Sequence, residues 1–223
     1  MNGQELFAPA GKSASNAEAI IDYSIGDLVV GYSSNAQFQI TEGFSQPRVV
    51  AKTTVPDDNF EAYLETHTAA GAVVTVGDAN SMGDGITNNN LVTTANISSV
   101  TNLDVSNLNN IASLVGIEDF ISLTNLGCHH NVLTSLDLTQ NNSLTNLECG
   151  YNQLTSLDLT QNTSLSYLRF EVNQITTLDL SNNLALHTIG CANNQLTSLD
   201  VSNNTALTIL QCSSNQLTNI DVS

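Results

Sequence analysis

One interval governs the second half of this chain. From Leu123 to Ser223 the same kinds of residue return every 21 positions. Cys128, Cys149, Phe170, Cys191 and Cys212 form one column. Asn131, Asn152, Asn173, Asn194 and Asn215 form a second, and Asp137, Asp158, Asp179, Asp200 and Asp221 a third. One unit of this length cannot bury its own apolar residues, so the period predicts units stacked in register, each covering the next. In the unit that begins at Leu144, the inward residues are Leu144, Leu147, Cys149, Leu154, Leu157 and Leu159.

The unit spells L-x-x-L-x-C-x-x-N-x-L, the leucine-rich-repeat pattern. The expected fold class is a leucine-rich-repeat solenoid with a parallel β-sheet on the concave face, mainly β and coil. Leu147-Glu148-Cys149 alternates in-out-in and predicts a short strand. Leu157-Asp158-Leu159 predicts a second extended segment on the opposite side. Asn152 stands where the strand turns away, and its amide can both donate to and accept from backbone groups left open there. The Asp column sets like charges about 4.8 Å apart. They repel at that spacing, so each needs local hydrogen bonds, from backbone N–H groups or neighbouring Thr and Ser, or cations. The cysteine spacings are those of the repeat itself, which predicts small buried hydrophobes with free thiols rather than a disulfide framework.

Three regions are expected: a short β-rich segment over 1–50, an N-terminal cap of helix plus loop over 51–97, and the repeats over 98–223. Within the first, Ala19 to Gln46 reads as three short strands separated by turns. Val55 to His67 reads as a helix with Pro56 in its first turn, and Phe60, Tyr63, Leu64 and His67 on the face that closes the first coil. Gly71 to Asn90 reads as a loop. Val100 to Leu123 is a degenerate first coil, two residues longer than the rest. Met1-Asn-Gly-Gln-Glu lacks a basic region and an apolar core, so no signal peptide is expected. Ser223 stops in mid-repeat, which suggests a fragment or a last coil covered by a partner.

The spacing from Val100 to Leu123, L-x-x-L-x-V followed by I-x-x-L-x-G-I-x-x-F-x-x-L, resembles the internalin type of bacterial leucine-rich repeat. The Cys-bearing copies resemble repeats of secreted bacterial surface proteins. Val55-Pro-Asp-Asp-Asn-Phe-Glu-Ala-Tyr-Leu64 and Gly77 to Ile86 resemble the cap before such repeats. Tyr23-Ser-Ile-Gly26 with Glu42 to Pro47 resembles a β module of exported proteins. The resemblance implies a secreted or cell-surface bacterial protein that binds a protein or a glycan.

With four Lys plus Arg against 21 Asp plus Glu, the net charge is −17. That excludes the basic footprint nucleic acid requires. No apolar run approaches a membrane span, and no catalytic or zinc motif occurs. Asp78, Asn80 and Asp84 offer oxygens for calcium from a short loop, although Met82 and Asn89 stand where further ligands belong. The alternative is a polar loop held by its own side chains; no other cofactor is implied. Structural positions repeat, so irregular exposed ones are free for ligand. On the predicted strands these are His129, Glu148, Tyr151, Tyr167, Arg169 and Glu171, with Glu148 and Arg169 placed to pair. A non-enzymatic binding or adhesion module is the leading expectation. A spacer or stalk, and ice binding by Thr134, Thr155, Thr176, Thr197 and Thr218, stand as alternatives.

Overall fold

The structure is a computed structural model that describes residues 30–31, 39–40 and 50–221. Chain contacts divide the molecule into two units, Met1–Ala51 and Lys52–Ser223. In the first, β1 (Val30–Gly31) pairs antiparallel with β2 (Gln39–Ile40). The rest of the expected three-stranded segment, and the N-terminal stretch, lie outside the described residues.

The second unit opens with β3 (Lys52–Thr54), which pairs antiparallel with β4 (Leu91–Thr93). Between them lies α1 (Asp58–Thr66). Pro56 is not in its first turn: Asp57 is the N-cap and accepts from the N–H groups of Asn59 and Phe60. The other Asp57 oxygen accepts from Ala112 and Ser113, which fastens the helix start to the first coil. Phe60 and Leu64 are fully buried, and Phe60 stacks on Phe120 with ring centroids 6.4 Å apart. His67 is the C-cap, and its ring stacks on Tyr63 at 3.9 Å, so it finishes this face as expected.

The same helix buries two carboxylates. Glu61 accepts from the N–H groups of Asn89 and Asn90, and Glu65 from those of Asp84 and Gly85. Both residues are fully buried. They act as hydrogen-bond anchors for the 77–90 loop, while Met82 from that loop enters the core. Burial pushes the Glu65 carboxyl above its ordinary range. A short helix, α2 (Thr94–Ile97), then leads into the repeats.

The repeats stack in register. A parallel sheet runs β5 (Asn102–Asp104), β6 (Asn125–Gly127), β7 (Asn146–Glu148), β8 (Tyr167–Arg169), β9 (Thr188–Gly190) and β11 (Ile209–Gln211). Asn102 faces Asn125, a step of 23, and Asn125 faces Asn146, a step of 21. The longer first coil contains a single 3-10 turn, Ile117–Asp119. Leu144, Leu147, Cys149, Leu154, Leu157 and Leu159 all face the core. On the opposite side, among the described residues, only β10 (Ser198–Asp200) and β12 (Asn219–Asp221) pair as strands. The corresponding Leu157-Asp158-Leu159 segment, expected to be extended, carries no ladder.

Two asparagine columns lie inside the stack. Asn152 donates to the carbonyls of Cys128 and Cys149 and accepts from the N–H of Leu133, which ties two coils at the end of the strand. Asn131, Asn173, Asn194 and Asn215 repeat this bonding. The second column is Asn141, Asn162, Asn183 and Asn204. Asn162 donates to Leu138 and Asn141 carbonyls, and Asn183 to those of Leu159 and Asn162. At the head of this column the carbonyls of Ile117 and Phe120 accept from the Asn141 amide. Cys128, Cys149 and Cys191 are buried free thiols, and Cys212 is half-buried. Burial, and then the neighbouring Cys212, pushes the Cys191 thiol up to about 12.

The Asp column is compensated locally. Thr139, Thr160, Ser181 and Ser202 each donate their N–H to the carboxylate two residues earlier. These bonds hold all four carboxyls below the ordinary range. The amide contributes most at Asp137 and Asp179, and the hydroxyl at Asp158 and Asp200.

Candidate functional site

The solvent face of the six-stranded sheet is built from the outward residue of each strand and from the residue after the inward Cys or Phe. The charged residues so placed are Asp104, Glu148, Arg169 and Glu171. His129, Glu148, Tyr151, Arg169 and Glu171 line one hollow of about 200 Å³ together with Gly150. Five of the six residues chosen from the sequence therefore converge. Tyr167 is the sixth; it lies beside Arg169 on β8 and makes an edge contact with His187.

Glu148 lies opposite Arg169 in the ladder, but the expected pair does not form. The Arg169 guanidinium instead pairs with Glu171. Its hydrogen bond to Tyr167, and then the Glu171 charge, raise its pKa above the usual value. The ion pairs among the described residues are this one and Lys52–Asp84, so Glu148 has no ionic partner there.

Glycine makes room for the arrangement. A Cβ at Gly150 would stand 3.3 Å from Glu171 Oε2, and one at Gly190 would stand 3.4 Å from the same atom. A side chain at Gly150 would crowd Glu171, whose carbonyl oxygen would lie 3.0 Å from the added Cβ, and one at Gly190 would come within 3.3 Å of Arg169 Nε. The Glu171 Oε2 is buried and has no hydrogen-bond partner among the described residues. His129 Nδ1 is in the same condition, while His129 Nε2 lies 3.3 Å from the Asn107 amide nitrogen. The amide donates, so the ring's own proton is assigned to Nδ1, which leaves it as an unused donor.

Tyr151 lies on the rim of the hollow, not on a strand. It belongs to a column that turns the chain out of the sheet: His130, Tyr151, Val172, Asn193 and Ser214, all with φ between 55° and 58°. Tyr151 stacks on His130 with centroids 4.1 Å apart, and His130 meets His129 edge-on.

In the 77–85 loop, Asp78 and Asp84 line one hollow of about 150 Å³. Asp78 accepts from the N–H and side-chain amide of Asn80. The Asp84 carboxylate pairs with Lys52 at 2.9 Å and accepts from the Asn89 amide. Among the described residues, no group of three His, Cys, Asp or Glu is gathered for a metal.

The fold has solved counterparts. An internalin (InlF) from Listeria monocytogenes is 25% identical, with a TM-score of 0.61, over 74% of this chain and 46% of that one. This is an internalin-like leucine-rich-repeat protein. The functional domain of InlJ from Listeria monocytogenes, described as including a cysteine ladder, is 27% identical over 78% of this chain and 50% of that one, with a TM-score of 0.35. Internalin C2 from Listeria monocytogenes is 18% identical over 75% of this chain and 91% of that one, with a TM-score of 0.38. The internalin-like chain thus spans about half the length of the first two. No family model and no curated protein matches its sequence.

Three features of the internalin-like chain escape a sequence reading centred on the outer columns. The second asparagine column was open to the same 21-residue count that exposed the first. The left-handed column carries only a weak signal, since Asn193 favours that conformation and Val172 opposes it. The anchoring by Glu61 and Glu65 has no sequence signal, because their partners lie 19 to 29 residues away in a loop without period.

Proposed function

We infer that this chain is a non-enzymatic binding module, secreted or displayed on a bacterial surface, which presents its sheet face to a protein or glycan ligand. The observation that carries the reading is the convergence of His129, Glu148, Tyr151, Arg169 and Glu171 in one hollow, at positions where the repeat leaves the residue free. The fold is one typically used for binding rather than catalysis. A rigid ladder on either side holds these side chains without needing a ligand to order them, which lowers the cost of association. The test is a glycan and protein array, with and without calcium, followed by Tyr151→Ala, Tyr167→Ala and Arg169→Ala. Each substitution is expected to weaken the captured ligand and leave the melting temperature within a few degrees. Unchanged affinity in all three removes this face as the site. The calcium arm reads the Asp78, Asn80 and Asp84 loop directly.

One observation favours a second reading. Thr134, Thr155, Thr176, Thr197 and Thr218 are all exposed along one line of the stack. A regular row of hydroxyls suits an ordered water surface. Thermal hysteresis in a freezing assay supports ice binding, and its absence ends that reading.

A further inference from the structure

The sheet face carries an excess of acceptors at one place, and the kind of ligand that answers it follows from the chemistry. We propose that the hollow receives a basic side chain, lysine or arginine, presented by a protein partner; this rests on the binding-module reading above and narrows it to one class. Three carboxylates, Asp104, Glu148 and Glu171, share the outward columns of the sheet with one guanidinium, Arg169. That guanidinium is already paired with Glu171. Glu148 therefore faces the hollow with its charge uncompensated, and Glu171 offers a buried oxygen with nothing donating to it. An ammonium or guanidinium group supplies both the charge and the donors, and such charge-assisted bonds are the stronger kind. The Nδ1 proton of His129 is left to meet an acceptor, and a peptide that brings a basic side chain also brings backbone carbonyls.

Two further features fit a protein partner better than a neutral sugar. Sugar stacking wants an open aromatic face, and one face of the exposed Tyr151 ring is taken by His130 at 4.1 Å, which leaves a single face for a sugar. A neutral sugar would also leave the Glu148 charge unanswered. The chain as a whole carries a net charge of −17, which steers a basic partner toward it from a distance, and the hollow supplies the specific step.

General attraction to an acidic protein has to be separated from binding in the hollow, so the test compares equal changes of charge. The full chain is titrated with a twelve-residue peptide of alternating lysine and serine, with the same peptide acetylated on every lysine, and with a neutral hexasaccharide. Affinity is read by calorimetry and the contact surface by amide NMR shifts. The variants are Glu148→Gln with Glu171→Gln, and, as a control that removes the same charge elsewhere, Asp158→Asn with Asp179→Asn. Melting curves confirm that both fold. The proposal expects the lysine peptide to shift the amides around Glu148, Gly150 and Glu171, the acetylated peptide not to bind, and the glutamine pair to weaken binding about tenfold or more, against about twofold for the control. Equal losses in both variants overturn it, since the attraction is then diffuse. Shifts in the same amides with the hexasaccharide alone overturn the basic side chain and leave the binding face standing. If no probe moves those amides and the array ligand is indifferent to Tyr167→Ala, both readings fall.

Discussion

The cap and the coils face the same physical difficulty and answer it in opposite ways. Each must place backbone N–H and C=O groups in a dry interior, where an unpaired group costs about 1–3 kcal/mol. In the coils the partners are amides in columns: each Asn from Asn131 to Asn215 serves its own coil and the one before it. In the cap the partners are two carboxylates on one helix turn, Glu61 and Glu65, used once each. The columnar answer spreads the task over many equivalent residues. The cap concentrates it, so each of two side chains there holds one part of the loop. Gly83 shows how tightly this is drawn, since a Cβ at that position would run into the Glu65 carboxyl.

The contrast is open to four measurements. The largest effect belongs to Glu65→Ala, which orphans the N–H groups of Asp84 and Gly85 and is expected to cost about 2–6 kcal/mol. Chemical denaturation measures it, and hydrogen exchange is expected to accelerate across 77–90 before the coils. Asn162→Ala comes next, at about 1–3 kcal/mol, because the Leu138 and Asn141 carbonyls lose the side-chain donor while each keeps one backbone N–H, from Asn141 and Leu144. An Asn162 cost above that of Glu65 breaks the contrast between concentrated and distributed anchoring. Third, Val172→Asn is expected to stabilise by about 1 kcal/mol, since a β-branched residue at φ 58° is strained and Asn tolerates that region.

The smallest effect is the response to pH, which has opposite signs in the two regions. The folded pKa of Glu65 is raised above 4.5, so its contribution is full below 4.5 and is lost as pH rises through the folded value. The folded pKa values of Asp137, Asp158, Asp179 and Asp200 are lowered below 3.8. Their contribution is full above 3.8 and is lost as pH falls through those values. Melting temperatures from pH 2 to 7 are expected to show both limbs. Glu65→Gln removes the loss above 4.5, and Asp158→Asn makes the loss below 3.8 shallower.

Repetition decides how much of this was legible in advance. Leu147, Cys149 and Asn152 declare themselves because their equivalents recur at a fixed step, and the structure puts them in the core and at the strand end as the period requires. The hollow was legible for the complementary reason: His129, Glu148, Arg169 and Glu171 stand in columns whose other members are Gly127, Gly190, Gln211, Gly150, Ala192 and Ser213. Their pairing was not. Ladder register places Glu148 opposite Arg169, yet Arg169 reaches Glu171 on its own coil, a choice made by side-chain direction and by the space Gly190 leaves. Pro56 shows the same limit at a helix end, where the bonding of Asp57 fixes the first turn and residue preference does not.

The step of 21 makes the stack a ruler. His129, the Glu148–Tyr151 pair and the Arg169–Glu171 pair sit on three successive rungs, so the hollow has a fixed address counted from the cap. A whole rung duplicated beyond Asn194 lengthens the rod and leaves that address unchanged. The same rung inserted between Asn152 and Leu165 moves Arg169 one strand spacing, about 4.8 Å, farther from Glu148, and divides the site without disturbing a single ladder bond rule on which the rod depends.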